Sequence, residues 1–372
     1  MDEPVTFTGG PAPGLVPGPG RAADRRGVVT ARIVLAGLGN VGRSLLHLLE
    51  SRRDLLRERH ALELRLVGVA DSRGAALDPA GLDPGAVLAL KREGRSAGEL
   101  PGAGRPGMSA VELAGCVEAE AVLEATPVDL ETGGPGLDLA RAALARGRAV
   151  VLANKGPLAL AYRELAAASD LERPGAPALR FSACVGGALP TIALGRRDLA
   201  GARILRVEAV LNGTTQFMLR AMERGQTLEA ALAEMRRRGL TETDSSLDLD
   251  GWDAASKLVI VANAVLRQPA TLADVRVSGI RGLGPDRLRA ALDRGERIVL
   301  LALAESGEDR RYRLRVGPAA LPLDHPLARM GADEMGVVYH TDVAGRAHAS
   351  TLERDPTPTA AAMLRDLLEI LA

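Results

Sequence analysis

The first half of this sequence alternates between short apolar runs and longer stretches in which apolar positions recur every three or four residues. A continuous apolar run is typical of a strand buried on both faces of a parallel sheet, and the three-to-four spacing is typical of an amphipathic helix. The predicted strands are 33–36, 64–70, 121–125 and 149–153, and the predicted helices are 41–56, 84–93 and 137–146. This alternation predicts a doubly wound α/β unit whose crossovers are right-handed.

The pattern changes after residue 153, where a second unit is predicted. Its helices are predicted over 158–169, 215–223, 228–237 and 253–266, and its strands over 178–183, 204–211, 297–304, 311–316 and 336–342. Elements of this kind favour an α+β unit with its own sheet. An amphipathic helix over 359–372 closes the printed sequence and is predicted to return to the first unit.

We therefore expect three parts in the chain. Residues 1–30 are rich in glycine and proline and have no periodic apolar pattern, so they are predicted to form a disordered leader. The first folded unit is predicted over 31–155 together with about 345–372, and the second over 156–344.

Composition excludes several classes of protein. The 47 basic and 47 acidic residues cancel, which leaves no excess positive charge for nucleic acid or an anionic membrane surface. Two cysteines are too few for a disulfide framework, and no apolar run approaches the roughly 18–20 residues of a membrane helix. The five histidines show no pair at metal-ligand spacing, so no catalytic metal is expected. We expect a cytoplasmic globular protein with a small-molecule substrate.

A glycine-rich turn, GLGNVG, lies between the first predicted strand and helix. Glycines in the G-x-G-x-x-G spacing allow a tight turn and a close approach of the backbone to a pyrophosphate, which then faces the helix N-terminus. The predicted cofactor contacts in this turn are Gly37, Gly39, Asn40, Val41 and Gly42. The alternative is an ordinary strand–helix turn, but the acidic residue that ends the next strand favours dinucleotide binding.

The choice between NAD and NADP stays open at this stage. Asp71 ends the second strand and is placed to bind the ribose hydroxyls of NAD, whereas Arg73 is placed to pair with the 2′-phosphate of NADP. We favour NAD on the basis of the carboxylate.

Lysine is scarce, since Lys91, Lys155 and Lys257 are the only three in the chain. Lys257 follows Asp253 by four residues, so the two side chains share a helix face, which alone indicates a surface ion pair. Acidic residues are concentrated just upstream, however, and apolar residues follow at once. Lys155 also follows a parallel strand, at the end of the sheet where ligands bind. The two amines are therefore predicted to meet in one cleft.

The chain resembles the homoserine dehydrogenase family from about Ile33 to Leu371. The segments that carry the resemblance are GLGNVG, EATP at 124–127, ALARGRAVVLANKGPLA, VGGALP at 185–190, LNGTT at 211–215, the stretch 242–257 and PTAAAMLRDLLEI. The resemblance implies NAD(P)-dependent interconversion of L-homoserine and L-aspartate 4-semialdehyde, on the route to threonine and methionine. It also implies a Rossmann-like doubly wound parallel sheet, and a second α+β domain that binds substrate and pairs two subunits in a homodimer. Because the sequence ends at Ala372, we expect no C-terminal regulatory domain.

The resemblance also implies roles for individual residues. Lys257 is the expected general acid/base, Lys155 contacts cofactor and substrate, and Asp253 orients the lysine. Thr126 is expected beside the nicotinamide. The expected substrate-binding residues are Glu242, Asp248, Asn212, Gly213 and Thr214.

Two segments depart from the family pattern. The family implies a structural monovalent cation, here at Val185, Gly187 and Leu189, but Ser182 stands where many members have a glutamate that helps to bind it. The segment 352–357 replaces a glycine-rich turn, so we expect its contact with the cofactor to be altered.

Two other functions remain open. One is a related NAD(P)-dependent oxidoreductase that acts on another small hydroxy acid. The other is a catalytically silent dinucleotide-binding protein, against which the presence of both lysines and of the acidic stretch argues.

Overall fold

A computed structural model of the chain describes residues 27–237 and 245–372. Most of the predicted leader, residues 1–26, lies outside the described residues. The first strand begins at Val29, so residues 29 and 30 belong to the folded unit and not to a leader. No helix in these two described ranges is both long enough and apolar enough to cross a membrane.

Thirteen strands lie within the described residues and form two sheets. They are β1 (Val29–Ala36), β2 (Leu62–Asp71), β3 (Gly74–Leu77), β4 (Gly104–Pro106), β5 (Ala121–Glu124), β6 (Ala149–Leu152), β7 (Leu179–Arg180), β8 (Ile204–Val210), β9 (Val275–Val277), β10 (Glu296–Ser306), β11 (Tyr312–Pro322), β12 (Glu334–Thr341) and β13 (Arg346–Leu352).

Thirteen α-helices connect these strands in the described part of the chain. They are α1 (Asn40–Ser51), α2 (Arg53–His60), α3 (Pro84–Arg92), α4 (Ala110–Cys116), α5 (Gly134–Ala145), α6 (Gly156–Ala167), α7 (Thr191–Ala193), α8 (Gly213–Glu223), α9 (Leu228–Arg237), α10 (Ser246–Leu249), α11 (Trp252–Ala264), α12 (Pro285–Asp293) and α13 (Thr357–Leu371).

The first sheet confirms the predicted doubly wound architecture. Its order is β4-β3-β2-β1-β5-β6-β7, and the five strands from β2 to β7 in that order run parallel. β3 and β4 add an antiparallel edge that the pattern did not predict, because neither short strand has a periodic apolar signal. The carboxyl ends of the parallel strands meet at one edge of the sheet, which is where this fold binds its ligands.

The second sheet has the order β13-β12-β8-β10-β11-β9. All its neighbouring pairs are antiparallel except β9 with β11, which confirms the expected α+β unit. β13 pairs with β12 in this sheet, although the sequence assigned the chain from about 345 to the first unit. That boundary was wrong because a short exposed strand and the loop after it have no distinguishing pattern.

Two further predictions need correction. The single helix predicted over 41–56 is divided into α1 and α2, which meet at Arg52. The strand predicted over 178–183 is only the short β7, which pairs with β6 in the first sheet, so α6 and β7 belong to the first unit and not, as predicted, to the second. β7 ends early because the backbone N–H of Ser182 donates to the carboxylate of Asp366 on α13, at 2.7 Å, and not to a neighbouring strand.

Helix α13 packs on the first unit, as predicted. Its buried Met363 and Leu367 belong to the same apolar cluster as Leu45 and Leu49 of α1. On the second unit, helices α8 and α11 share a core with the inner face of the second sheet. The two units meet where β6 leads into α6 and where α11 begins, so both contribute side chains to one cleft.

Candidate active site

The glycine-rich turn after β1 has the geometry of a pyrophosphate site. Gly37 has φ of +94°, and a Cβ there would overlap the carbonyl oxygen of Ala125. A Cβ on Gly42 would overlap the carbonyl of Gly37, whereas Gly39 faces open space with no atom within 4 Å of such a Cβ. No side chain caps the N-terminus of α1, so its N–H groups are available to an anion. Gly37 and Gly39 lie in the turn, and Asn40, Val41 and Gly42 begin α1, so the five residues adjoin this site while their cofactor contacts stay a prediction.

The carboxylate of Asp71, the residue predicted to bind the ribose, already accepts hydrogen bonds from four donors of this chain. Its Oδ1 accepts hydrogen bonds from the Arg73 backbone N–H at 2.9 Å and from the Ser96 hydroxyl at 2.8 Å. Its Oδ2 accepts from Lys91 Nζ at 2.7 Å and from the Ala97 backbone N–H at 2.8 Å. Two bonds to each oxygen fill the usual acceptor capacity of a carboxylate. A ribose hydroxyl would have to displace one of these four donors, so this geometry disfavours the ribose-binding role of Asp71, which stays a prediction.

The same contacts set the charge of Asp71. Burial alone would raise its pKa, but the bonds from Lys91, from two backbone N–H groups and from Ser96 lower the pKa to about 2. Arg73 extends from the end of β2 and donates from Nη2 to the carbonyl of Gly94 at 2.7 Å, on the exposed side.

Both predicted lysines bind the same carboxylate. Lys155 Nζ lies 2.8 Å from Oδ1 of Asp253, and Lys257 Nζ lies 2.8 Å from Oδ2 of the same residue. Lys257 also donates to the carbonyl of Leu211 at 2.6 Å. Lys155 precedes α6 of the first unit, while Asp253 and Lys257 lie one turn apart on α11, so the two amines meet as predicted.

Asn212 joins this cluster to a second carboxylate. Its side-chain Nδ2 donates to Asp253 at 2.7 Å and to Asp248 at 2.6 Å. Its Oδ1 accepts from the backbone N–H of Thr215 at 2.7 Å, which makes it the N-cap of α8. The side chain of Asn212 is thus fully occupied, so it orders the carboxylates in this arrangement.

Burial and charge shift several pKa values in opposite directions. Burial would raise the pKa of Asp253, but the two lysines outweigh it and hold that pKa well below its usual range. Burial would lower the pKa of Lys155, but the charge and hydrogen bond of Asp253 raise it. Burial, together with the charge of Asp253, raises the pKa of Asp248.

The remaining predicted substrate residues are only partly described. Gly213 and Thr214 form the first turn of α8, and a Cβ on Gly213 would meet no atom within 4 Å, so this turn faces open space. Glu242 lies outside the described residues, and its predicted role stays a prediction.

A buried glutamate that the sequence analysis passed over lies next to Thr126. Glu124 ends β5, is completely buried, and its Oε1 accepts from the Thr126 backbone N–H at 2.7 Å and from the Thr126 hydroxyl. A signal was present in the sequence, because this carboxyl residue ends an otherwise apolar strand.

The predicted monovalent cation site is incomplete. Position 182 supplies a hydroxyl instead of a carboxylate, and the Val185 carbonyl accepts a hydrogen bond from Thr191 at 3.2 Å. The carboxylate of Glu353, from the altered segment 352–357, lies directly against Gly187. Ser182 does not supply the carboxylate that many family members have, and the cation at Val185, Gly187 and Leu189 stays a prediction.

Two histidines far apart in sequence meet on the second sheet. Nε2 of His325 and of His340 lie 3.2 and 2.7 Å from Oε2 of Glu208. Arg206 binds the other oxygen of Glu208 at 2.6 Å, and Nδ1 of His325 accepts the backbone N–H of Leu327. Because Nδ1 of His325 is an acceptor, the ring proton lies on Nε2, which donates to the carboxylate of Glu208. The geometry is that of a hydrogen-bonded network.

Known proteins similar to this chain share one activity in their names. A family model described as homoserine dehydrogenase matches residues 190–368. A homoserine dehydrogenase of Methanocaldococcus jannaschii is 36% identical over 339 residues, which are 91% of this chain and 98% of that protein. An NAD(+)-dependent homoserine dehydrogenase of Pseudomonas canavaninivorans is 32% identical over 340 residues, 91% of this chain and 96% of that protein. The structure of a hyperthermophilic archaeal homoserine dehydrogenase in complex with NADPH shares the fold, with a TM-score of 0.78 and 24% identity over 92% of this chain and 97% of that one.

Proposed function

This chain belongs to the homoserine dehydrogenase family, and we propose that its two lysines and the carboxylate between them carry the chemistry of that family. It is an oxidoreductase that interconverts L-homoserine and L-aspartate 4-semialdehyde with NAD or NADP. The observation that supports the assignment of residues is the binding of Lys155 and Lys257 to opposite oxygens of Asp253.

Lys257 transfers the proton at the substrate hydroxyl in this proposal. In the direction of homoserine oxidation the amine of Lys257 accepts the hydroxyl proton, and in the opposite direction it returns that proton. Lys155 remains charged because Asp253 raises its pKa, so it suits a fixed cation that stabilises negative charge on the substrate oxygen. The bound nicotinamide supplies the hydride chemistry.

Asp253 acts as the anchor for both amines. Its pKa lies well below its usual range, so it stays a carboxylate throughout and does not exchange protons with the lysines. Each amine is held to a separate oxygen, which fixes the distance between the proton-transfer group and the fixed cation.

Asp248 is the described residue best suited to bind the α-ammonium of homoserine. It accepts one hydrogen bond from Asn212, and burial beside Asp253 raises its pKa. An incoming ammonium would offset that unfavourable charge. Glu242, Gly213 and Thr214 complete the proposed substrate-binding set.

The cofactor contacts favour NADP over NAD, the reverse of the preference that the sequence favoured. Asp71 has no acceptor left for ribose hydroxyls, and Arg73 lies two residues beyond it on the exposed side. A guanidinium pairs well with a phosphate, so Arg73 is the proposed partner of the 2′-phosphate. Gly37, Gly39, Asn40, Val41 and Gly42 are proposed to hold the pyrophosphate, and Thr126 to face the nicotinamide.

Replacement of Lys257 by alanine tests the proposed role. We expect turnover of homoserine to fall about 100-fold or more while binding of the cofactor is retained, measured by steady-state rates and by titration of NADPH fluorescence. Arg289→Ala is the matched control, because Arg289 pairs with Asp286 of its own exposed helix turn, away from the cleft. Unchanged turnover in Lys257→Ala would mean that another group moves the proton.

The proposal also covers the location, the pathway and the oligomeric state of the protein. The protein acts in the cytoplasm on the route to threonine and methionine, and it forms a homodimer through the second sheet, as the family resemblance implies. Light scattering on the purified protein tests the dimer. A substrate lacking the α-ammonium, such as 4-hydroxybutyrate, tests the alternative of another hydroxy acid, since Asp248 would then have no cation to bind.

A further inference from the structure

A carboxyl group at the centre of the first sheet has no part in the proposed mechanism. Glu124 ends β5, and all four residues of that strand are buried. An ionised carboxylate in such a place is unfavourable unless donors surround it. One of its oxygens, Oε2, is buried and has no hydrogen-bond partner among the residues that the structure describes. Buried polar atoms without partners are uncommon in folded proteins, so the position of Glu124 needs a physical explanation.

Glu124 orients the residue that is proposed to face the nicotinamide. Its Oε1 accepts from both donors of Thr126, the backbone N–H and the hydroxyl. With its proton committed to Glu124, the Thr126 hydroxyl presents only its lone pairs to other groups. The carboxyl group thereby determines both the position of the loop after β5 and the direction of this hydroxyl.

A second set of bonds extends from Glu124 to Lys155. Asn154 interacts with the Glu124 carboxyl group through its side chain and its backbone. The Asn154 Nδ2 donates to the Pro127 carbonyl at 3.2 Å, and its Oδ1 accepts from the Gly156 backbone N–H at 2.9 Å. These bonds fix the chain on both sides of Lys155, whose ammonium then reaches Asp253.

The charge of Glu124 changes within the range in which such an enzyme works. Burial raises the pKa of Glu124 to about 7, although hydrogen bonds from Thr126 and Asn154 act in the opposite direction. The titratable group that faces it from the turn 182–184 is the Cys184 thiol, whose pKa burial raises well above its usual range. Further charges that act on that thiol are Asp366 of α13 and the two active-site lysines.

We propose that Glu124, in its neutral form, is a positioning residue that sets Thr126 and Lys155 for hydride and proton transfer, an inference that rests on the proposed function. When Glu124 ionises, its buried Oε2 carries charge with no donor among the described residues, so the bonds through Thr126 and Asn154 that position Lys155 must rearrange. The ionised form therefore holds the two lysines less well than the neutral form does.

Two variants and one control test this role. Glu124→Gln keeps an acceptor for Thr126 and stays neutral at every pH. Glu124→Leu removes the acceptor and fits an apolar surrounding. Glu120→Gln is the control, because Glu120 lies just before the same strand but pairs with Arg32 at 2.8 Å, away from the cleft. For each protein, kcat and both KM values are measured at about pH 5.5 and about pH 8.5, on either side of the Glu124 pKa.

We expect the ratio of kcat in Glu124→Gln to kcat in the wild type to change with pH. We expect kcat of Glu124→Gln to equal that of the wild type at the lower pH and to exceed it at least about threefold at the higher pH, since the variant cannot ionise. We expect Glu124→Leu to lose about tenfold to hundredfold in kcat at both values, because Thr126 and Lys155 are displaced. The control should match the wild type throughout.

The outcomes separate this inference from the proposed function. If the wild type does not turn over homoserine, the proposed function is wrong. If the wild type is active but the ratio of Glu124→Gln to wild type does not change with pH, the positioning role is overturned. The ratio needs only the isosteric variant, so it decides the matter even if Glu124→Leu does not fold.

Discussion

Replacement of Arg73 by alanine should change the choice of cofactor without impairing the chemistry. In the structure the Arg73 guanidinium has one hydrogen bond, to the Gly94 carbonyl, and lies on the exposed side of the turn after β2. The 2′-phosphate of NADP would take this guanidinium as its partner, whereas NAD has no charge at that position. We therefore expect a higher KM for NADP and an unchanged KM for NAD.

The magnitude follows from the bonds that are exchanged. A hydrogen bond between charged groups contributes about 1.5–3 kcal/mol, and giving up the bond to Gly94 costs about 0.5–1.5 kcal/mol. At the middle of both ranges the net loss in Arg73→Ala is about 1.25 kcal/mol, which corresponds to a KM for NADP that is higher by about eightfold. A guanidinium on an exposed turn is also screened by salt, so the difference should shrink as ionic strength rises.

Initial rates with homoserine at varied NADP and NAD provide the assay. Arg57→Ala is the control, because Arg57 is a half-buried arginine whose ion pair with Glu63 lies at the opposite end of β2. A companion variant, Lys91→Met, removes one of the four donors to Asp71 and should lower the KM for NAD by freeing an acceptor. If Arg73→Ala leaves the ratio of the two KM values as it is in the wild type, the reasoning about the end of β2 is refuted.

Three further predictions concern Asp253, Asn212 and Asp71. Asp253→Asn leaves two buried ammonium groups without a counter-charge, so we expect turnover to be lost and the free energy of unfolding to fall by about 3 kcal/mol or more, measured by urea denaturation. Asn212→Ala removes the N-cap of α8 and two bonds to carboxylates. It should lower the free energy of unfolding by about 1–2 kcal/mol and raise KM for homoserine. An unaltered midpoint of urea denaturation would contradict the capping geometry. The pKa of Asp71 is lowered from 3.8 to about 2, which corresponds to a contribution of about 2 kcal/mol to the free energy of unfolding. This contribution is present above about pH 4 and is lost as the pH falls through about 2. Asp71→Asn should remove that part of the acid dependence of stability.

Local patterns were sufficient to predict the first sheet and the glycine-rich turn. A buried parallel strand and an amphipathic helix are each recognised within a few residues, and the turn between them has a fixed chemical purpose. The same reasoning placed Lys155 at the end of a strand, so its meeting with Lys257 followed from the topology. Short strands such as β3 and β9 have no such period and were missed.

The contacts of Asp71 could not be predicted in the same way. Three of its four donors come from residues 91–97, a segment that returns to the end of β2 only in the folded chain. The sequence shows an acidic residue in the place where a ribose ligand is usual, but it does not show whether that residue is already occupied. The preference for NAD stays a prediction, and the contacts that weigh against it could not be read from the sequence because the number of hydrogen bonds to a side chain is a property of the tertiary structure.

Burial changes what the four-residue spacing of Asp253 and Lys257 indicates. On an exposed helix this pair would contribute about 0.5 kcal/mol and have no role. Every residue of α11 except Trp252 and Lys257 is buried, however, so the carboxylate has lost most of its water. One lysine does not supply enough donors to compensate for that loss, and the structure adds Lys155 from the other unit and the Asn212 amide. The same three contacts that stabilise the buried charge also bring the two amines to one substrate, so the stability of α11 and the geometry of the reaction depend on a single carboxylate.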